Sequence, residues 1–438
     1  MFRLISAMPR LRNLTILIVS ALPLLCFSQN GSSAPLMLKG DTLAYTLAQF
    51  EKQFLDSNLQ LLSQKYNITE NEAYIKQAKI WDQPMMTFEH VLYNPERKTF
   101  FEIGDSSESS AQVQQLLVIG SKRSKLVSMA KTTTDIAKYQ YFDLMRSLKV
   151  QLRSAFYNTW FLLEQTRVYD TEIGRLRDII RGYDQLYPKG LVSLKELVRV
   201  KALLLSMESE RLGIRAHLAE NQGTLKVLVN DKSRVFILPV PDPAAYRDFS
   251  PGKYSLSALA DTASKNRYDL LIYEQKMKYA ETDLVYQRLV NVPDPTLFLG
   301  WDQNGSFVHN YNYIGLSFNM PFWDRNKGNV LAARARIAES QADYRNYSIQ
   351  VYNDLAEDLG KLSEIDKVYK NIDAGFSNDF SRIILKAEES YLKREIGLLE
   401  FIDLYQSYKD SRLQYLQLEN DRINAIENLN YVVGTNLK

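Results

Sequence analysis

The stretch Leu316-Ser317-Phe318-Asn319-Met320-Pro321-Phe322-Trp323-Asp324-Arg325-Asn326-Lys327-Gly328 decides the fold. Its first residues alternate, with Ile314, Leu316, Phe318 and Met320 on one side and Gly315, Ser317 and Asn319 on the other. A period of two marks a strand with one apolar face. Just before it, Leu297, Leu299 and Trp301 alternate with Thr296, Phe298 and Gly300, and Asp302 to His309 carries the turn pair Asn304-Gly305. The two runs therefore read as a β-hairpin. Aromatic residues gather near the strand ends (Tyr311, Tyr313, Phe322, Trp323), as in the interfacial girdle of a membrane β-barrel. Beyond the turn residues, Asn329 to Ile372 and Asn378 to Val433 read as long helices.

The chain says this twice. Tyr187 to Asn230 aligns without a gap onto Tyr391 to Gly434, an offset of 204: Lys189 falls on Lys393, Leu194 on Leu398, Glu196 on Glu400 and Val229 on Val433. The same offset sets Leu117-Val118-Ile119-Gly120 on Pro321-Phe322-Trp323-Asp324. Upstream the offset becomes 209, with Asn58 to Leu62 on Arg267 to Leu271 and Pro84 on Pro293. The first copy holds a hairpin from Met85 to Val118 with a longer polar loop, then helix from Lys122 to Val168 and from Glu172 to Val229, interrupted at Pro188-Lys189-Gly190. A helix from Asp41 to Trp81, capped by Asp41 or Thr42, precedes it. A period this long is a duplicated half rather than a solenoid repeat of about 20–50 residues. The predicted organisation is a signal peptide at 1–28, a first repeat at 29–230, a Pro-rich linker at 231–253 and a second repeat at 254–438.

The start reads as a secretory signal. Arg3, Arg10 and Arg12 precede an apolar stretch from Leu14 to Phe27, with Cys26 and Ser28 at the −3 and −1 positions of a cleavage site before Gln29. Lipidation at Cys26 is the alternative use of the same segment. Cleavage removes the single cysteine and three arginines, leaving 54 − 3 = 51 basic residues against 51 acidic ones. A balanced mature chain offers nothing to nucleic acid. No later run reaches the 18 apolar residues of a spanning helix, so membrane insertion would require a β-barrel.

Catalytic chemistry is not visible. The three histidines, His90, His217 and His309, lie far apart, and no metal-ligand spacing, phosphate loop or nucleophile elbow occurs. No cofactor, metal or catalytic residue is predicted. What recurs instead is packing. Leu197, Leu204, Leu218 and Leu225 form a seven-residue row that Arg211 breaks, and Val198, Leu205, Leu212 and Ala219 run beside it. Paired rows of this kind mean coiled-coil burial against neighbours in the chain or in other copies.

These residues resemble the TolC-like outer-membrane efflux proteins across nearly the whole chain after the signal. The most specific likeness is at the strand-to-helix junctions, Gly120-Ser121-Lys122-Arg123 in the first repeat and Pro321-Phe322-Trp323-Asp324-Arg325-Asn326-Lys327-Gly328 in the second. Their form is most similar to the heavy-metal branch, the cobalt–zinc–cadmium and copper–silver systems. Tyr187, Gly190 and Glu196 match a further pattern of the family, while Arg394 stands where its second copy has glycine. The resemblance implies a mainly α fold with β: long coiled-coil helices forming a trimeric α-barrel, plus a 12-stranded outer-membrane β-barrel with four strands per protomer. It implies a homotrimeric channel in the cell outer membrane with its helical tunnel in the periplasm. The partners would be outer-membrane lipid, a periplasmic membrane-fusion adaptor and an inner-membrane pump of the resistance-nodulation-division type, with metal or drug as cargo. The competing reading is a periplasmic coiled-coil scaffold or adaptor that never inserts.

For a channel the working residues line a path. The helix turns at the periplasmic tip are expected near Val168 to Arg175 and Ile372 to Asp379, so Asp373 and Asp379, backed by Asp170 and Glu172, are the gate candidates. A carboxylate ring there would favour cations. Ile314, Leu316, Phe318 and Met320 are expected to face lipid.

Overall fold

The computed structural model describes residues 41–437 except 106, 243, 306–307 and 373–375. The signal segment, Cys26 and Asp373 lie outside the described residues. The elements run β1 (Thr42–Thr46), α1 (Leu47–Ser57), α2 (Leu59–Lys79), β2 (Met85–His90), β3 (Tyr93–Asn94), β4 (Thr99–Phe100), β5 (Ser109–Leu116), α3 (Lys122–Leu186) and α4 (Leu194–Leu228). Then come β6 (Phe236–Val240), α5 (Ala244–Arg247), α6 (Leu256–Asn266), α7 (Tyr268–Leu289), β7 (Pro295–Asp302), β8 (Tyr311–Phe318), α8 (Lys327–Asn371), α9 (Phe376–Leu392) and α10 (Leu398–Val433). Both offsets recur in these boundaries. Adding 209 to α1 and α2 gives the starts of α6 and α7, and adding 204 to Leu194 gives Leu398.

The helices follow their caps. Ser193 and Glu196 form a reciprocal capping box that starts α4. α3 is 65 residues long, or about 98 Å at 1.5 Å per residue. It packs along α2, α4, α7 and α10. Three apolar clusters hold the bundle. One is built on Phe50, Phe54, Leu152 and Phe156, one on Ile173, Leu176, Val200 and Phe401, and one on Leu355, Leu362, Leu429 and Val433. Each buried side chain of this size contributes roughly 1.5–3 kcal/mol.

Two expectations are corrected. The first helix does not run from Asp41 to Trp81. Thr42–Thr46 is β1, paired parallel with β6, and the helix begins after Thr46, whose capping box with Gln49 is complete. Its partner strand lies some 190 residues on, inside the Pro-rich bridge, so local pattern could not show it. The helix also breaks at Asn58. The buried Asn58 side chain accepts the N–H of Leu61 and donates to the carbonyl of Leu228 at 2.8 Å. The bridge itself is packed. Ile237 and Phe249 are buried, and the Arg422 guanidinium donates to the carbonyls of Tyr246 and Phe249 at 2.8 Å each.

The second correction concerns the helix turns. α3 continues through Val168 to Arg175 without a break, and the chain reverses only at Tyr187–Lys189 and Gly190. The corresponding reversal in the second half is at Lys393 to Gly397, after α9. Positions 168–175 pack Tyr169 and Ile173 into the apolar cluster with Phe401, so no turn can form there.

Candidate functional site

The hairpins meet in one antiparallel sheet of order β2-β5-β7-β8. Met86 pairs with Val113, Val113 with Leu299, and Leu299 with Ile314, so one face carries Met86, Phe88, Val113, Leu297, Leu299, Ile314, Leu316 and Phe318. Most of these apolar side chains are exposed in the single chain, Met86 at 80% and Ile314 at 71%. Met320, just past β8, is exposed as well. The opposite face carries Thr87, Glu89, Gln112, Gln114, Thr296 and Ser317. On that polar face two rings lie over glycines of the neighbouring strand. A Cβ at Gly315 would stand 2.2 Å from the Phe298 ring, and one at Gly300 would stand 2.2 Å from the Tyr313 ring. Glycine there lets each ring lie along the sheet instead of standing away from it.

The first loop departs from a plain connection. β3 and β4 form a small extra hairpin, Tyr93 packing on Phe100 with ring centres 4.8 Å apart. The loop is tied to the second one by Gln303 Nε2 donating to the Gly104 carbonyl at 2.8 Å and Asn304 Nδ2 to the Ser107 carbonyl at 2.6 Å.

At the junctions, the sequence motifs become clamps. Gly120 and Ser121 both take positive φ (70° and 64°), which turns the strand end into α3. The Lys122 side chain is buried, with Nζ donating to Asp294 at 2.7 Å and to the Val292 carbonyl; Asp294 also accepts the Ile119 N–H at 2.9 Å. The Arg123 guanidinium stacks 3.8 Å above the Trp81 ring. In the second junction Pro321 follows the strand, and Asp324 accepts the Asn326 N–H at 2.9 Å. Asn326, at φ 52°, donates to the Gln287 carbonyl of α7 at 2.8 Å. Arg325 is exposed and Gly328 lies in the first turn of α8. Both junctions thus lock the sheet to the α7 end.

The gate candidates separate. Asp170 sits mid-helix and pairs with Arg211 at 2.6 Å and Arg215 at 3.5 Å, both on α4. Glu172 is 2% exposed and pairs with Arg175 at 3.0 Å. Burial pushes its carboxyl above the usual range, against the pull of Arg175. Neither is at a turn. Asp379 is on α9. The structure brings together a different set. Tyr169 donates to Glu210 at 2.9 Å and Lys409 of α10 donates to the same carboxylate at 2.7 Å, tying α3, α4 and α10. Sequence offered one signal for this layer: Arg211 interrupting its leucine row.

The two true reversals face each other across a cavity of about 660 Å³, lined by residues from α3, α9 and both turns. They share one geometry. Gly190 has φ 69° and Arg394 has φ 63°. The Gly190 N–H meets the Tyr187 carbonyl and the Leu191 N–H that of Leu186; 204 residues on, Arg394 meets Tyr391 and Glu395 meets Ser390. Among the described residues no group of three or more His, Cys, Asp or Glu side chains could hold a metal ion, and no helix is long and apolar enough to cross a membrane.

No protein-family model matches the chain. A curated relative, the cobalt-zinc-cadmium resistance protein CzcC of Cupriavidus metallidurans, is 20% identical over 388 residues, covering 86% of this chain and 87% of that one. Among solved structures, a membrane protein from Pseudomonas aeruginosa superposes with TM-score 0.73 at 15% identity, covering 89% of this chain and 92% of the other. The Campylobacter jejuni CmeC outer membrane channel superposes with TM-score 0.72 at 17% identity, covering 89% and 85%. In fold and element order the chain is similar to these solved outer-membrane structures, and in sequence to CzcC.

Proposed function

We propose that three copies of this chain close into a 12-stranded barrel in the outer membrane and form the exit channel of a tripartite efflux system. The observation that carries this is the open sheet. β2 and β8 have no partner on their outer edges among the described residues, and the sheet's exposed face is apolar. A bare edge beside an apolar face is unstable in water and invites pairing. Because every neighbour is antiparallel, β8 runs opposite to β2, so the β8 edge of one copy can pair antiparallel with the β2 edge of the next. Only a closed barrel satisfies every strand edge in lipid. Eight residues span about 26 Å along a strand, or about 20 Å of height at a tilt of 35–45°, close to the apolar band of such a barrel.

The helices support the same closure. Of the paired rows, Leu197, Leu218 and Leu225 are buried within the chain, whereas Val198, Leu205 and Leu212 are exposed, the last two at 69%. The second row is the face that neighbouring copies would cover. In this reading Ile314, Leu316, Phe318 and Met320 face lipid, the polar face lines the lumen, and the far turns point to the adaptor and pump in the periplasm. The gate acids in this reading are Asp373 and Asp379, the latter in the first turn of α9 and so short of the reversal at Lys393–Gly397. The likeness to CzcC and the junction motifs favour divalent metal ions as cargo.

The test is conductance of purified protein in planar bilayers. The proposal expects cation-selective openings that weaken in the Asp373→Ala/Asp379→Ala double variant. Openings with unchanged selectivity in that variant would remove the gate assignment, and a protein that forms no channel would remove the function.

A further inference from the structure

The first junction holds a cation that its clamp does not use. Lys122 is taken by Asp294, whereas Arg123 has no carboxylate partner among the described residues. The Arg123 guanidinium lies over the Trp81 ring with Nη1 buried and unbonded, so Nε and Nη2 are the N–H groups left open at its edge. A guanidinium stacked on an aromatic face keeps that edge for an anion. It opens on a cavity of about 370 Å³ between the end of α2 and the start of α3, lined by Lys79, Val118, Ser121, Arg123, Ser124 and Val127. Lys79, Ser121 and Ser124 are exposed there, Lys79 with no ion pair and the two hydroxyls with no hydrogen bond among the described residues. No side chain caps α3, so the N–H groups of its first turn add to the positive end. No carboxylate among the described residues lines the cavity. Of the acids at the two junctions, Asp294 is held by Lys122, Asp324 accepts the Asn326 N–H, and Asp82 is outside the lining. Each polar side chain around this space can donate, and none has an acceptor there.

We propose that this cavity binds the phosphate of an anionic phospholipid in the periplasmic leaflet of the outer membrane. The proposal rests on the channel reading, which sets this end of the sheet at that leaflet. Trp81, Phe322 and Trp323 stand around the same end, exposed at 54%, 67% and 95%. Exposed aromatic rings beside unpaired cations suit a membrane–water boundary rather than bulk water. Arg123 and Lys79 bind the phosphate oxygens, and Ser121 and Ser124 donate to those that remain. Val118 and Val127 take the first glycerol and acyl carbons. A zwitterionic headgroup brings an ammonium that meets two cations and no carboxylate. A bound anionic lipid would tie the end of α2 to the start of α3 where the sheet leaves the membrane.

The experiment is calorimetric titration of the purified full-length protein in non-ionic detergent with dihexanoyl phosphatidylglycerol and, separately, dihexanoyl phosphatidylcholine. The two share their acyl chains, so chain partition into the micelle cancels between them. The expected result is saturable binding of phosphatidylglycerol about tenfold tighter than of phosphatidylcholine, a preference that falls as salt rises. Lys79→Gln with Arg123→Gln should remove the preference while helix content holds. Lys79→Gln alone, at an exposed position, should weaken it severalfold. Arg123→Lys, which keeps the charge and loses the planar fork, should keep part of it. Lys131→Gln, an exposed lysine about two turns along α3, should leave it unchanged. A preference that survives in the double variant, or that falls as far in Lys131→Gln, overturns the site. So does displacement of the lipid by millimolar inorganic phosphate, which would make it a free-phosphate site. Outer-membrane recovery judges the channel reading separately. A protein recovered there that binds both lipids alike overturns the proposal alone, and one that never reaches the membrane overturns both.

Discussion

Asp269 shows how single charges hold this elongated molecule. It accepts from Arg267 at 2.7 Å, Arg146 at 2.9 Å and Tyr347 at 2.8 Å, joining α7, α3 and α8. Burial alone would raise its carboxyl; the hydrogen bonds from Arg267 and the charges of Arg146 and Arg267 outweigh it and hold the group at about 2. Against its ordinary value of 3.8 this is a depressed carboxyl, worth about 2 kcal/mol. The stability is present above pH of about 4 and is lost as pH falls through about 2. Helix melting followed by circular dichroism between pH 5 and pH 2 should show that loss in the wild type. In Asp269→Asn it should be flatter, with about 3–5 kcal/mol already missing at pH 5 because Arg267 is left buried without its close carboxylate and Arg146 keeps only Asp143. Arg394 makes the opposite case. It holds the left-handed conformation that Gly190 takes in the first repeat, at a strain of about 1–2 kcal/mol for a side-chain residue. Arg394→Gly should therefore leave the fold intact and raise the melting temperature slightly; a fall would mean the Arg394 side chain contributes more than the strain it causes. The duplicated sequence made the position legible, but only coordinates show that arginine was bent to the glycine geometry.

At the scale of elements, the leucine rows and the strand alternation were legible because burial repeats at the period of the structure. Leu197, Leu218 and Leu225 are buried as a row should be, while Leu205 and Leu212 stay exposed in one chain. The two rows therefore predict different failures. Leu225→Ala should cost about 2–5 kcal/mol of chain stability through the cavity it leaves. Leu205→Glu with Leu212→Glu should leave helix content unchanged and break the proposed trimer, as read by light scattering; an intact trimer would place that row elsewhere. In the sheet, Leu316→Arg should block insertion while Ser317→Arg is tolerated, and equal tolerance would refute the facing. Gly315→Val should drive the Phe298 ring off the sheet and lower conductance in single-channel records. The tip turns were not legible. Val168 to Arg175 carries charges such as Asp170 and Glu172, which read as a solvated turn, but their partners Arg211 and Arg175 hold them within a continuous helix. β1 was missed for a similar reason, since its pairing with β6 is long-range and leaves no local period.

At the scale of the whole molecule, duplication and incompleteness go together. Two halves share one fold plan, their hairpins join in one four-stranded sheet, and the sheet and one helix row end in surfaces that the described residues do not cover. The proposed trimer would cover both with one three-fold operation, each copy's β8 edge meeting the β2 edge of the next. The most direct measurement is fractionation after expression in a Gram-negative host, followed by gel mobility with and without boiling. A trimeric channel should be recovered in the outer membrane as a band near three times the chain mass that collapses to monomer on boiling. Recovery as a soluble periplasmic monomer would contradict it and leave a coiled-coil scaffold.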